Sequence, residues 1–122
     1  MSGTQLLPPM WTLEQGLVVV RAIQPESRVY GYHVCLGGGV INKGHSDKDL
    51  DIFLLPMCNC DQDNSDPVAV LAWLEGLWGP AEDMTVQSDR YPHQFDEMYA
   101  RKVKFSLPSG QRIDLFVMKG GS

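Results

Sequence analysis

The chain has 122 residues, close to the commonest size of one domain, and its 43% hydrophobic and 20% charged composition is that of a globular protein with one core. A formal net charge of −5 and a pI near 5.0 argue against wrapping a long nucleic acid, because such binding draws on neutralised phosphates. The apolar stretch Leu17 to Val20 is too short to span a membrane and no secretory pattern precedes it, so a cytoplasmic protein is expected.

Residues 1–9 carry Gly3, Pro8 and Pro9 without periodicity and read as a loose tail. Thr12, with Gln15 three residues on, is an N-cap signature; Leu13, Leu17, Val20 and Ile23 then recur at helical spacing until Pro25, which is expected to interrupt the helix. Tyr30 to Leu36 reads as a strand that stops at Gly37-Gly38-Gly39, and a short polar turn follows. Leu50 to Leu55 is a second strand, apolar enough to suggest burial on both faces, with Pro56 closing it.

Residues 57–66 form a polar loop ending at Asp66, which can cap a helix with Pro67 in its first position. That helix carries Val68, Val70, Leu71, Leu74 and Leu77 and ends at Gly79-Pro80. A short strand is expected near Met84 to Gln87, and Met98 to Leu107 with Gln111 to Met118 read as two strands around a tight Pro-Ser-Gly turn. This order predicts one α/β (α+β) domain over residues 1–122, a mixed β-sheet flanked by helices.

Chemistry concentrates in LGGGVINKGHSDKDLDIFLLP, residues 36–56. Asp49 and Asp51 lie two apart, so on an extended chain both carboxylates project from one side while Leu50 turns to the core. Two anions on one edge call for a divalent cation, and oxygen-only ligands suit Mg²⁺ or Mn²⁺. Gly37, Gly38 and Gly39 lack Cβ atoms, which lets the backbone approach a phosphate. Asp114, polar within an apolar strand, faces the same metal if its strand pairs beside residues 50–55. Three such carboxylates could hold two metal ions for an in-line displacement at an α-phosphate.

At these residues the chain resembles the nucleotidyltransferase superfamily of the DNA polymerase β type: a glycine pair after an apolar residue, a linker of about ten residues, then Asp-x-Asp leading into a strand. The resemblance implies that Gly37 and Gly38, or Gly38 and Gly39, contact phosphate, that Asp49 and Asp51 are shared metal ligands, and that Asp114 is the third carboxylate. The family spelling Ser-Asp-x-Asp would move the pair to Asp47 and Asp49; the apolar strand starting directly after Asp51 favours Asp49 and Asp51. Ser46 could bond a phosphate or cap the turn. The implied activity is transfer of a nucleoside monophosphate from a nucleoside triphosphate, ATP among them, to a protein hydroxyl, an RNA end or another acceptor. The chain has no room for the separate acceptor-binding domain of many family members. The other implied reading is therefore an inactive module of the same fold, acting as an inhibitor or antitoxin-like partner of another protein.

Other polar features have plainer readings. CNCDQDNSD, residues 58–66, lacks zinc or EF-hand spacing and reads as a surface loop, while Cys35 reads as a small core residue. Lys43 and Lys48 are suitably charged for a triphosphate, and His45 could touch a phosphate, but all three equally suit an exposed turn. Arg101, Lys102, Lys104, Arg112 and Lys119 in the final hairpin read as solubility charges before a local basic face for a nucleotide tail or an acidic partner, and the alternative for Asp114 is a strand-edge carboxylate paired with Arg112 or Lys104. Trp73 and Trp78 suit core packing, whereas Tyr91 is a freer candidate for stacking on a base.

Overall fold

Thr12 opens the first helix by the expected device. Its hydroxyl accepts from the Gln15 N–H at 3.1 Å, and the Gln15 side chain accepts from the Thr12 N–H at 3.0 Å. These residues belong to a computed structural model that describes residues 10–46, 48–59, 62–63, 65–84 and 99–118. The expected tail at residues 1–9 lies outside the described residues, as do Asp47, Cys60, Tyr91, His93 and Lys119.

In chain order the elements are β1 (Trp11–Thr12), α1 (Leu13–Val29), β2 (Tyr32–Gly37), α2 (Gly39–Lys43), β3 (His45–Ser46) and β4 (Leu50–Pro56). There follow β5 (Cys58–Asn59), β6 (Gln62–Asp63), α3 (Pro67–Trp78), β7 (Ala81–Asp83), β8 (Tyr99–Ser106) and β9 (Arg112–Met118). The architecture is mixed α/β. A five-stranded sheet runs β2-β4-β9-β8-β7, with β4 and β9 parallel and every other neighbouring pair antiparallel.

Alternation along the strands divides the sheet into two unlike faces. One presents Tyr32, Val34, Leu50, Ile52, Leu54, Val103, Phe105, Ile113, Leu115 and Val117, all buried, and helices α1 and α3 pack against it. Trp78 of α3 meets Phe105 edge-on at 5.1 Å, so core packing explains this tryptophan. On the other face Asp51, Phe53, Asp114, Phe116, Lys102 and Lys104 follow one another by register. Phe53 and Phe116 stack there at 4.7 Å. Burial of β4 on both faces is therefore corrected: Leu55 is 38% exposed, and only the alternate residues Leu50, Ile52 and Leu54 are enclosed. Its continuous apolar run reflects the aromatic contact on the second face rather than a second helical layer.

Pro25 does not end α1, which continues to Val29. Proline removes one helical hydrogen bond, but the last turn is anchored by buried Ser27 and by Tyr30 and Gly31, whose N–H groups donate to Ser27 and Arg28 carbonyls. The buried stripe is also rotated from the expected one. Gly16, Ile23 and Ser27 are buried, with Val19 and Val20 packed beside them, while Leu13 and Leu17 remain at the surface. Gly16 decides this, because its bare backbone lies against Leu36 and Leu50, whose methyls would stand 3.1–3.3 Å from a Cβ there.

Elsewhere the local signals hold. The Asp66 carboxylate accepts from the Ala69 N–H at 3.0 Å with Pro67 at the start of α3, and the β8–β9 hairpin closes through the Leu107 N–H on the Gln111 carbonyl. A strand stands at Ala81–Asp83, and of the strand expected over Met84 to Gln87 the residues Thr85, Val86 and Gln87 lie outside the described residues. The segment read as a polar loop contains the two-residue ladder β5–β6. Among the described residues no helix is long and apolar enough to cross a membrane.

Candidate functional site

The site is assembled at the junction of β4, β9 and the turn before β4. In the parallel β4–β9 pair Asp51 stands directly opposite Asp114, and in the antiparallel β2–β4 pair Asp51 stands opposite Gly37. The three expected carboxylates, Asp49, Asp51 and Asp114, line one cavity of about 390 Å³. Gly39, Lys43, His45, Ser46 and Lys48 line the rest. Asp51 and Asp114 of the sheet and Asp49 just before β4 thus share the cavity with basic residues of the segment between β2 and β4.

That segment is held by contacts legible only in three dimensions. The first helix begins beside it, with β1 pairing to β3 and the Leu13 N–H donating to the Gly44 carbonyl at 2.9 Å. The stretch read as a polar turn contains the short helix α2, pinned by buried Val40. Ser46 accepts from the Lys48 N–H at 3.2 Å and donates to the Asp49 carbonyl at 3.1 Å, so its hydroxyl caps this turn while lining the cavity.

Of the three glycines, Gly39 alone borders the cavity. Gly37 completes β2 against the Phe53 ring, and Gly38 lies against Asp51. At φ 70° and ψ −151° Gly38 occupies backbone space open essentially to glycine alone, and a Cβ there would overlap the Asp51 carboxylate.

Two of the hairpin cations, Lys104 and Arg112, belong to the acidic site rather than to the solubility charges; the pair of Lys104 with Asp114 is the alternative the sequence offered, and the pairs with Asp49 go beyond it. Lys104 Nζ lies 2.9 Å from Asp49 Oδ2 and 3.8 Å from Asp114 Oδ1, and Arg112 Nε lies 2.9 Å from Asp49 Oδ1. The hairpin register carried the signal, since pairing Ser106 with Arg112 sets Lys104 opposite Asp114 on the same face.

Electrostatics follow from this crowding. Burial pushes the Asp49 carboxyl up, but Lys104, a hydrogen bond with Asp114, and Arg112 outweigh it and leave Asp49 below the usual carboxylate range. Burial and then the Asp49 charge raise Asp51. The same two causes, with the Asp49 hydrogen bond, push Asp114 up to about 6. Lys104 is raised chiefly by its hydrogen bond to Asp49.

A pH dependence follows. Between the ordinary carboxylate value near 3.8 and about 6, folded Asp114 holds a proton that the unfolded chain has released, so stability falls as pH rises through this window. Asp51, also raised, contributes with the same sign; Asp49 acts oppositely and only at lower pH, where its loss of charge destabilises. Urea unfolding of the metal-free protein at pH 4.5 and 6.5 is expected to show the higher stability at about pH 4.5. Asp114→Asn should reduce the difference; an equal slope in the variant would refute the assignment to Asp114.

The donor set admits a hard cation. All three acids offer oxygen only, and Asp49 Oδ1 and Asp114 Oδ1 are buried without a hydrogen-bond partner among the described residues. The close Arg112 contact on Asp49 Oδ1 is therefore a charge pair without hydrogen-bond alignment. Among the described residues no group of three or more His, Cys, Asp or Glu side chains is arranged to hold a metal ion. Asp49 instead meets Lys104 and Arg112 with its two oxygens. This fits Mg²⁺ taken up with its ligand, because that ion is usually held by one or two carboxylates, waters and substrate phosphates rather than by an all-protein cage. Comparison with protein-family models, with curated proteins and with solved structures gives no match.

Proposed function

We propose that this chain is a metal-dependent nucleotidyltransferase, moving a nucleoside monophosphate from a nucleoside triphosphate to an acceptor such as a protein hydroxyl or an RNA end. The observation that carries this reading is the two-signed cavity, lined by Asp49, Asp51 and Asp114 and also by Lys43 and Lys48. A ligand combining anionic phosphates with a divalent cation matches both halves at once, whereas either alone satisfies one.

Lys43 and Lys48 neutralise the phosphates, and Gly39, without a Cβ, leaves room for them beside the Ser46 turn. Asp51 and Asp114, side by side across two parallel strands, would hold Mg²⁺ or Mn²⁺, with Asp49 as third carboxylate. When bound, the metal supplies Lewis-acid activation of an acceptor hydroxyl and charge neutralisation at the α-phosphate and leaving pyrophosphate. The alignment of Asp51 with Asp114 supports the pair Asp49 and Asp51 over Asp47 and Asp49.

A second reading, a nucleotidyltransferase-like module acting on a protein partner without chemistry, draws on Asp49 being paired to Lys104 and Arg112. Calorimetric titration of the four nucleoside triphosphates, with and without Mg²⁺, separates the two. Metal-dependent binding accompanied by pyrophosphate release with an acceptor present is the expected result. No binding under any condition would reject the enzymatic reading and favour the docking module.

A further inference from the structure

Asp49, Asp51 and Asp114 would bring three negative charges together, yet the fold already answers part of that charge. Arg112 sits at the rim, its side chain 45% exposed, and among the described residues its ion pair is with Asp49. Lys104 differs. Its side chain is only 27% exposed, and its ammonium lies between two of the acids, 2.9 Å from Asp49 Oδ2 and 3.8 Å from Asp114 Oδ1. Its own strand position opposite Asp114 aims it there. Lys104 Nζ would therefore compete for these carboxylates with any cation that they hold.

We infer that Lys104 is a resident cation of the acidic site, one that holds Asp49 and Asp114 together in the absence of metal and must be displaced when a divalent ion binds these carboxylates. The inference rests on the proposed metal-dependent function and deepens it by identifying what the metal competes with. Two physical arguments support it. Lys104 and Arg112 are the cations ion-paired to these acids, and a divalent ion added beside both would meet their repulsion, which expulsion of one of them relieves. Lys104 is the one that can leave, because a flexible four-carbon stem carries a compact charge that water solvates well, whereas the Arg112 guanidinium can stay on Asp49 from the rim. Lys104 is thus a positioning residue: it sets the metal concentration at which the site assembles.

The test turns on the direction of the effect. A merely structural role for Lys104 predicts that its removal disorders the carboxylates and weakens metal binding; displacement predicts tighter binding. Mn²⁺ alone is titrated into the wild type, Lys104→Met, Lys104→Arg and Asp51→Asn, with bound metal read by calorimetry and by the electron paramagnetic resonance of free Mn²⁺. Lys104→Met is expected to bind Mn²⁺ about tenfold more tightly, the scale set by removing one unit charge a few ångströms away in a partly buried site. Lys104→Arg, which keeps the charge, is expected to stay near the wild type. Metal-free Lys104→Met should melt below the wild type, and Mn²⁺ should raise its melting temperature more than it raises the wild type's. If Lys104→Met does not fold, Lys104→Gln is read against the same criteria. Unchanged or weaker Mn²⁺ binding in the charge-removed variant, with wild-type binding lost in Asp51→Asn, overturns this inference and leaves the proposed function standing. No Mn²⁺ binding by any of the four proteins overturns both.

Discussion

Asp51→Asn is expected to abolish metal-dependent binding of nucleoside triphosphates while leaving the fold as stable as the wild type or more so. The two halves of this expectation have one cause. Asp51 is raised by burial and by the neighbouring Asp49 charge, so its ionised form is held in the native state at a cost. Asparagine keeps the shape and removes that charge, which relieves repulsion within the acidic group and should leave the melting temperature level or higher. It also deletes an anionic oxygen from the carboxylate pair that stands side by side across β4 and β9. Loss of a direct ligand should exceed the 10–100-fold typical of outer-shell changes, so a decrease of more than about 100-fold is expected by calorimetry with Mg²⁺ present. Wild-type nucleotide affinity in a folded Asp51→Asn protein would rule out the site as drawn. Reduced affinity together with a fall in melting temperature would mean that Asp51 holds the fold, not a ligand.

The second large effect is expected at Gly38. Alanine there meets two obstacles, a backbone at φ 70° and ψ −151°, and an Asp51 carboxylate that already fills the space a methyl group would take. The backbone strain is worth about 1–3 kcal/mol and the overpacking a similar amount, so Gly38→Ala should destabilise by roughly 2–5 kcal/mol in urea unfolding. Because the relief available is to push Asp51 aside, nucleotide binding with Mg²⁺ should fall with stability. Gly44→Ala is the internal control. Gly44 also has positive φ, at 82°, but among the described residues nothing lies near its missing Cβ, so only the backbone term remains, about 1 kcal/mol. Equal losses at the two glycines would show that the contact with Asp51 carries no energy of its own.

Together these two substitutions separate the roles inside the glycine motif. The resemblance treats the glycines as one phosphate-contacting unit, whereas the three positions differ in the fold. Gly37 accommodates Phe53, Gly38 makes way for Asp51, and Gly39 borders the cavity. Glycine at the first two positions is thus explained by the protein's own side chains.

Much of this protein was legible in the chain because it is encoded locally. The Thr12–Gln15 capping box, the Asp66-Pro67 helix start, the Gly79 stop and the Pro-Ser-Gly hairpin each depend on residues within a few positions of one another. Two-residue alternation placed Asp49 and Asp51 on one side of β4, and the expected neighbouring strand carried Asp114 to them. What only the tertiary structure decided has a common physical origin in contacts between distant segments. Helix α1 runs past Pro25 into a turn held by distant residues, the Met57 and Asp66 N–H groups donating to the Gly31 and Tyr30 carbonyls, and the buried stripe of α1 turns to Gly16 because Leu36 and Leu50 need the closest approach. Lys104 and Arg112 look in sequence like any charges on a hairpin; the parallel β4–β9 pairing brings Asp49 within 2.9 Å of both. Residue types and local spacing determined which groups could do chemistry, while long-range strand register decided which of them meet, because a side chain's charge is a local property and its counter-charge is not.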